Sequence, residues 1–167
     1  TGGAHEFSLT LNFGKVVKRT RRDTILPCFK YWVIEYLHRV KLLIIQTGGT
    51  IDKDYPKTNR GYAFEIDEPA VKRVLENSFP AFEYEVVSLL KKDSLEITEE
   101  DRAKLKGFIE NHAAQKILIT HGSDTMPETA RFLNNISGKA IVLTGAYRPE
   151  RFANSDAAFN IGLAIGA

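Results

Sequence analysis

From Lys41 onward the chain alternates between two hydrophobic rhythms, and each change of rhythm marks an element. Four compact apolar runs, Leu42 to Gln46, Tyr84 to Leu89, Lys116 to Thr120 and Ala140 to Thr144, are aliphatic or β-branched and bounded by polar or glycine residues, which predicts strands. Runs this continuous suit strands buried on both faces, as in a parallel sheet covered by helices.

Between the runs the apolar positions recur at helical spacing. Asp67, with Pro69 close behind, opens "EPAVKRVLENS", where Val71, Val74 and Leu75 share one face. "TEEDRAKLKGFIENH" starts at Thr98 with acidic residues in its first turn, where the helix dipole favours them, and sets Leu105, Phe108 and Ile109 on one stripe. Thr125 to Glu128, "TMPE", has the form of a capping box ahead of "TARFLNN". A last amphipathic segment runs from about Asn154 to the end. Strands alternating with helices give an α/β fold of βαβ units with right-handed crossovers, and in that architecture ligands sit outside the carboxyl ends of the strands.

The 167 residues are about the size of one domain and long enough to bury a core. Charge divides the chain further. Residues 1–40 carry Lys15, Lys18, Arg19, Arg21, Arg22, Lys30 and Arg39 against Glu6, Asp23 and Glu35, a local +4 in a chain whose net charge is +2, so the remainder stands at −2. This reads as a basic N-terminal extension separate from the fold at 41–167. It lacks the aromatic interleaving of a nucleic-acid surface, and no nucleic-acid partner is expected. No apolar stretch reaches the roughly 18 to 20 residues needed to cross a bilayer, so no membrane partner is expected either. The single cysteine, Cys28, has no partner for an internal disulfide, which fits a cytoplasmic protein.

Chemistry concentrates where the strands end. "TGGTI", "THGSDTM" and "TGAYRPERFANSD" follow three of them, all rich in hydroxyl, glycine and charge, and "KKDSLEIT" brings Asp93 and Ser94 to the same rim. Two adjacent glycines let the backbone approach a ligand closely, and their amides can cradle negative charge. A phosphate loop would need a lysine and a dinucleotide fingerprint a third glycine, and neither is present. The polar, turn-rich "DKDYPKTNRGYAF" that follows suits a flap, which leaves Thr50 at its base either as a nucleophile or as a turn-capping hydroxyl. Ser123 beside Asp124 puts a hydroxyl and a carboxylate on one turn, able to move a proton or grip an ammonium group. His121, directly after a strand and without a ligand cluster, is expected to be structural.

"TGGTID", "ILITHGSDTMPETA" and "IVLTGAYRP", in this order and spacing, resemble the bacterial-type L-asparaginase family over about Lys41 to Ala167. The resemblance implies a parallel-sheet three-layer sandwich like that family's N-terminal catalytic domain. It further implies hydrolysis of asparagine or a related side-chain amide, in a homo-oligomer and without metal or organic cofactor. By the same resemblance Thr50 is the nucleophile with Tyr62 of the flap beside it, Ser123 and Asp124 stand for the family's Thr-Asp pair, and Gly49 and Gly122 line the substrate. Asp124 would hold the substrate's ammonium group, while Asp93 and Ser94 would fix its carboxylate end. Two departures stand out. Lys91 and Lys92 occupy positions matching the family's substrate-binding serine and glutamine, and no lysine follows Lys139, where the family's assisting lysine would come. The resemblance therefore implies a domain truncated at its C-terminus. The alternative function is an asparaginase-like domain that binds a small amino acid without turnover.

Overall fold

The computed structural model of the chain describes residues 41–57 and 64–167. The basic extension with Cys28, and Tyr62 of the flap, lie outside the described residues. In chain order the elements are β1 (Lys41–Gly48), β2 (Lys53–Asp54), β3 (Glu65–Ile66), α1 (Ala70–Ser78), β4 (Glu83–Lys92), α2 (Glu99–Asn111), β5 (Lys116–Thr120), α3 (Met126–Leu133), β6 (Ala140–Thr144) and α4 (Ala157–Gly166). Short 3₁₀ turns at Thr50–Asp52 and Ser94–Glu96 follow β1 and β4.

β1, β4, β5 and β6 form a parallel sheet in the order β4-β1-β5-β6, and β2 pairs antiparallel with β3 in a separate ribbon. The chain leaves β1 for β4 on one side and then crosses back to β5 on the other. The carboxyl end of β1 is thus a topological switch point, where parallel sheets open a crevice for ligands.

Side chains alternate across the sheet and build one core on each face. Leu42, Ile44 and Leu118 pack with Val71 and Leu75 of α1 and Ile161 of α4. Leu43, Ile45, Ile117 and Ile119 pack with Leu105 and Ile109 of α2 and Leu133 of α3. Helices on both faces make three layers, the architecture expected from strands without a polar face. All four expected strands are present, with β5 and β6 matching residue for residue. β1 and β4 are longer than their apolar runs because backbone pairing continues past them: Gly48 registers with Lys92 beyond an irregularity after Gln46.

Helix starts divide into one expected cap and two corrections. Thr98 caps α2 as a capping box with Asp101, its hydroxyl accepting from the Asp101 amide and the Asp101 carboxylate accepting from the Thr98 amide. Thr98→Ala should lower stability by about 1 kcal/mol, read as a lower urea midpoint at unchanged m-value. Thr125, by contrast, does not cap α3. Its hydroxyl donates to the Ser94 carbonyl at 2.7 Å, so an inter-loop tie wins over the local box. Nor does Asp67 cap α1, since its carboxylate pairs with Lys57 and the Ala70 amide is taken by Asp52 at 2.7 Å. A distant buried carboxylate has displaced the nearby one.

Candidate active site

β1 runs into two glycines because two neighbouring backbones leave no room for side chains. Gly48 and Gly49 have φ of 115° and 87°, in the positive-φ region that residues with a side chain rarely adopt. A Cβ on Gly48 would lie 2.3 Å from the Lys92 carbonyl oxygen, and one on Gly49 only 2.4 Å from the Gly122 nitrogen. Gly122 is itself pressed on Ser94, whose Oγ would be 2.5 Å from an added Cβ. The loops after β1, β4 and β5 therefore touch at the carboxyl edge of the sheet.

Thr50 opens the 3₁₀ turn on this corner, partly exposed, and its hydroxyl has no hydrogen-bond partner among the described residues. Thr47 differs. It is fully buried and donates to the Thr120 carbonyl at 2.7 Å, which ties β1 to β5 and leaves that hydroxyl committed. The two threonines of one word thus have separate tasks.

Ser123 and Asp124 are exposed on the turn between Gly122 and α3. Asp93 accepts from the Leu95 amide and from Lys53 Nζ at 2.9 Å, and the Lys53 ammonium holds its carboxyl below the usual range. Ser94 is buried beneath Gly122. The structure thus brings Gly49, Thr50, Ser94 and Gly122 together, with Ser123 and Asp124 adjoining, while Asp93 is already engaged in an ion pair. Lys92 likewise pairs with Asp101, at 2.7 Å. His121 is structural, as expected: buried, with Nδ1 at 2.8 Å from the Gly122 carbonyl and Nε2 at 2.9 Å from Thr129 Oγ1. Its burial lowers the imidazole pKa.

The base of the flap is a braced stem. Tyr55 and Phe64 close on Phe152 of the β6–α4 loop with ring centroids 5.2 to 5.8 Å apart, and Arg151 of that loop donates to Asp54 at 3.0 Å.

Sequence reasoning passed over Asp52, although it stands in the same word as Thr50. It is fully buried, accepts from the Ala70 amide and from Thr120 Oγ1 at 3.1 Å, and its carboxyl is pushed up to about 6 by burial. A carboxylate directly after Ile51, at the end of an apolar run, was the available signal. Gln46 was missed for a similar reason: it ends the first run, is fully buried, and donates to the Asp67 carbonyl while accepting from Ser88.

A parallel α/β domain whose central strand ends on a glycine corner, with a free threonine hydroxyl and a second hydroxyl–carboxylate turn beside it, has the architecture in which ligands bind at a switch point. The chain belongs to the asparaginase family. The family model described as "Asparaginase, N-terminal" matches residues 41–167. Among curated relatives, the glutaminase-asparaginase of Acinetobacter glutaminasificans is 29% identical over 74% of this chain and 40% of that protein. The L-asparaginase of Bacillus licheniformis is 30% identical over 75% of this chain and 40% of its own length. Among solved structures, the thermostable L-asparaginase from Thermococcus kodakarensis superposes with a TM-score of 0.60 at 29% identity, over 75% of this chain and 40% of that one. The probable cytoplasmic L-asparaginase from Campylobacter jejuni gives 0.63 at 28% identity, over 76% and 41%. The chain thus spans 40% of the length of the curated relatives it matches.

Proposed function

We propose that this domain carries the nucleophile half of an amidohydrolase that releases ammonia from L-asparagine or a related side-chain amide, glutamine included. The observation that carries the reading is the free Thr50 hydroxyl on a corner packed against Gly122, with Ser123 and Asp124 next in line. Thr50 Oγ attacks the amide carbon. Its proton passes to the leaving nitrogen, which departs as ammonia, and water then cleaves the acyl ester to free the carboxylate and restore the hydroxyl. With the Gly49 amide given to the Lys92 carbonyl, the Thr50 and Ser123 amides serve the developing oxyanion. Ser123 relays the proton, Asp124 grips the α-ammonium, and Tyr62 closes over Thr50. Asp93 and Ser94 bound the carboxylate end of the substrate. The protein works as a homo-oligomer in the cytoplasm; among the described residues no helix is long and apolar enough to cross a membrane.

A second reading, binding of a small amino acid without turnover, has one observation in its favour: Asp93 is already paired with Lys53 beside the site. Ammonia release from asparagine and from glutamine by the purified chain separates the two. Turnover is expected with one of them; tight binding of either without ammonia would favour the second reading.

A further inference from the structure

We propose that Asp52 is a positioning residue for the reaction, its carboxylate fixing Thr50 relative to the Ser123–Asp124 turn by gripping the end of β5 and the start of α1 from within the nucleophile's own turn. This rests on the reading of Thr50 as nucleophile.

Four ties meet at Asp52. One carboxylate oxygen accepts from the Ala70 amide at 2.7 Å and the other from Thr120 Oγ1 at 3.1 Å. Its backbone amide donates to the Gly49 carbonyl and its carbonyl accepts from the Asp67 amide, both at 3.2 Å. Asp52 closes the 3₁₀ turn that Thr50 opens, and Thr120 precedes the Gly122–Asp124 loop in β5. Two loops that must act on the same substrate are therefore joined through one side chain.

A helix cap alone would not require this arrangement. An asparagine could accept from Ala70 without charge, but it would lose the charge-assisted bond from the Thr120 hydroxyl and offer only a weaker neutral one in the reverse sense. Burying a carboxylate instead costs free energy. The charged groups packed nearby do not offset it fully: Arg73 of α1 lowers the carboxyl pKa only as the last of several influences and gives its Nε to Glu150 of the β6–α4 loop at 2.5 Å. Gln46 of β1 adds a further favourable contact, yet burial still leaves the carboxyl near 6. The carboxylate is thus retained against its desolvation cost, as a positioning role in the site would require.

The ionisation gives the proposal a signature. As pH rises from the ordinary carboxylate range to about 6, the folded form still holds a proton that the unfolded chain has released, so this group's contribution to stability falls. Protonation, conversely, obliges the Thr120 hydroxyl to turn from donor to acceptor, which loosens the tie. Activity should thus rise through the window in which stability falls.

The test compares wild type, Asp52→Asn and Thr120→Val by kcat and KM for asparagine from about pH 5 to pH 8, by urea unfolding at neutral pH, and by amide hydrogen exchange. Asp52→Asn should unfold at an equal or higher urea concentration while kcat falls about 10-fold and KM moves less than about 2-fold. The acid limb near pH 6 should disappear, and exchange should quicken at Thr50–Asp52 and at His121–Ser123 together. Thr120→Val, which leaves the α1 cap intact, should give the same loss of kcat. Wild-type kcat with an unchanged acid limb in Asp52→Asn would overturn the proposal, as would faster exchange confined to α1. If wild type itself releases no ammonia, the nucleophile reading fails instead. Exchange then decides alone, with a paired rise in both loops supporting the tie and no rise refuting it.

Discussion

Thr50→Ala should reduce ammonia release at least about 1,000-fold, because it removes the atom that would carry the acyl group and leaves nothing to replace it on that corner. The change should be nearly silent in stability, within about 0.5 kcal/mol, since the side chain is partly exposed and its hydroxyl bonds no described residue. That separation is the useful part: an inactive variant with a wild-type urea midpoint has lost chemistry and not its fold. Thr50→Ser, which keeps the oxygen, should recover part of the rate. Turnover by Thr50→Ala within about 10-fold of wild type would move the nucleophile elsewhere, and Ser123 would be the next hydroxyl to replace.

Gly49→Ala should be severely damaging for a single added methyl. At φ of 87° a Cβ is strained before it meets anything, and it would then lie 2.4 and 2.6 Å from the nitrogen and Cα of Gly122 and 2.8 Å from the His121 carbonyl carbon. All three are backbone atoms, so no rotamer change relieves the clash and the loops must separate. We expect a loss of about 3 kcal/mol or more, a large share of the roughly 5–15 kcal/mol that holds a domain together. Activity should fall further than stability alone dictates, because Thr50 would be carried away from the Ser123–Asp124 turn. Gly107→Ala is the matched control: it lies within α2 with nothing inside 4 Å of an added Cβ, so the same substitution should leave stability unchanged or raise it by about 0.5–1 kcal/mol.

The layers of this domain were legible because burial on both faces writes itself into composition. Leu42–Ile45, Ile117–Ile119 and the stripes Val71/Val74/Leu75 and Leu105/Ile109 are uniform enough that no partner needs to be known. Caps were legible only where the partner was local, as with Thr98 and Asp101. At α1 and α3 the winning partner lay 18 or 31 residues away, and no spacing rule reaches across a sheet. The candidate site shows the same split. Glycines and hydroxyls at strand ends announced the corner, while Asp52 and Gln46 stayed hidden because polar residues at the end of an apolar run look like loop until their buried partners, Thr120, Ala70 and Ser88, are seen.

The central position of β1 also dictates when the corner can come into being. Gln46 meets Ser88 from 42 residues away and Thr47 meets Thr120 from 73, so the first strand made waits for a neighbour on each side. At about 5–20 residues per second on the ribosome, the span to Thr120 alone takes about 4–15 s, during which the Leu-Leu-Ile-Ile stretch lacks its β5 flank and, for the first part, its β4 flank too. Non-local parallel pairings of this kind fold slowly. The corner is therefore unformed until β5 arrives, and the vulnerability of the nascent domain is aggregation through β1, a hazard set by strand order and not by the strength of any contact in the finished fold.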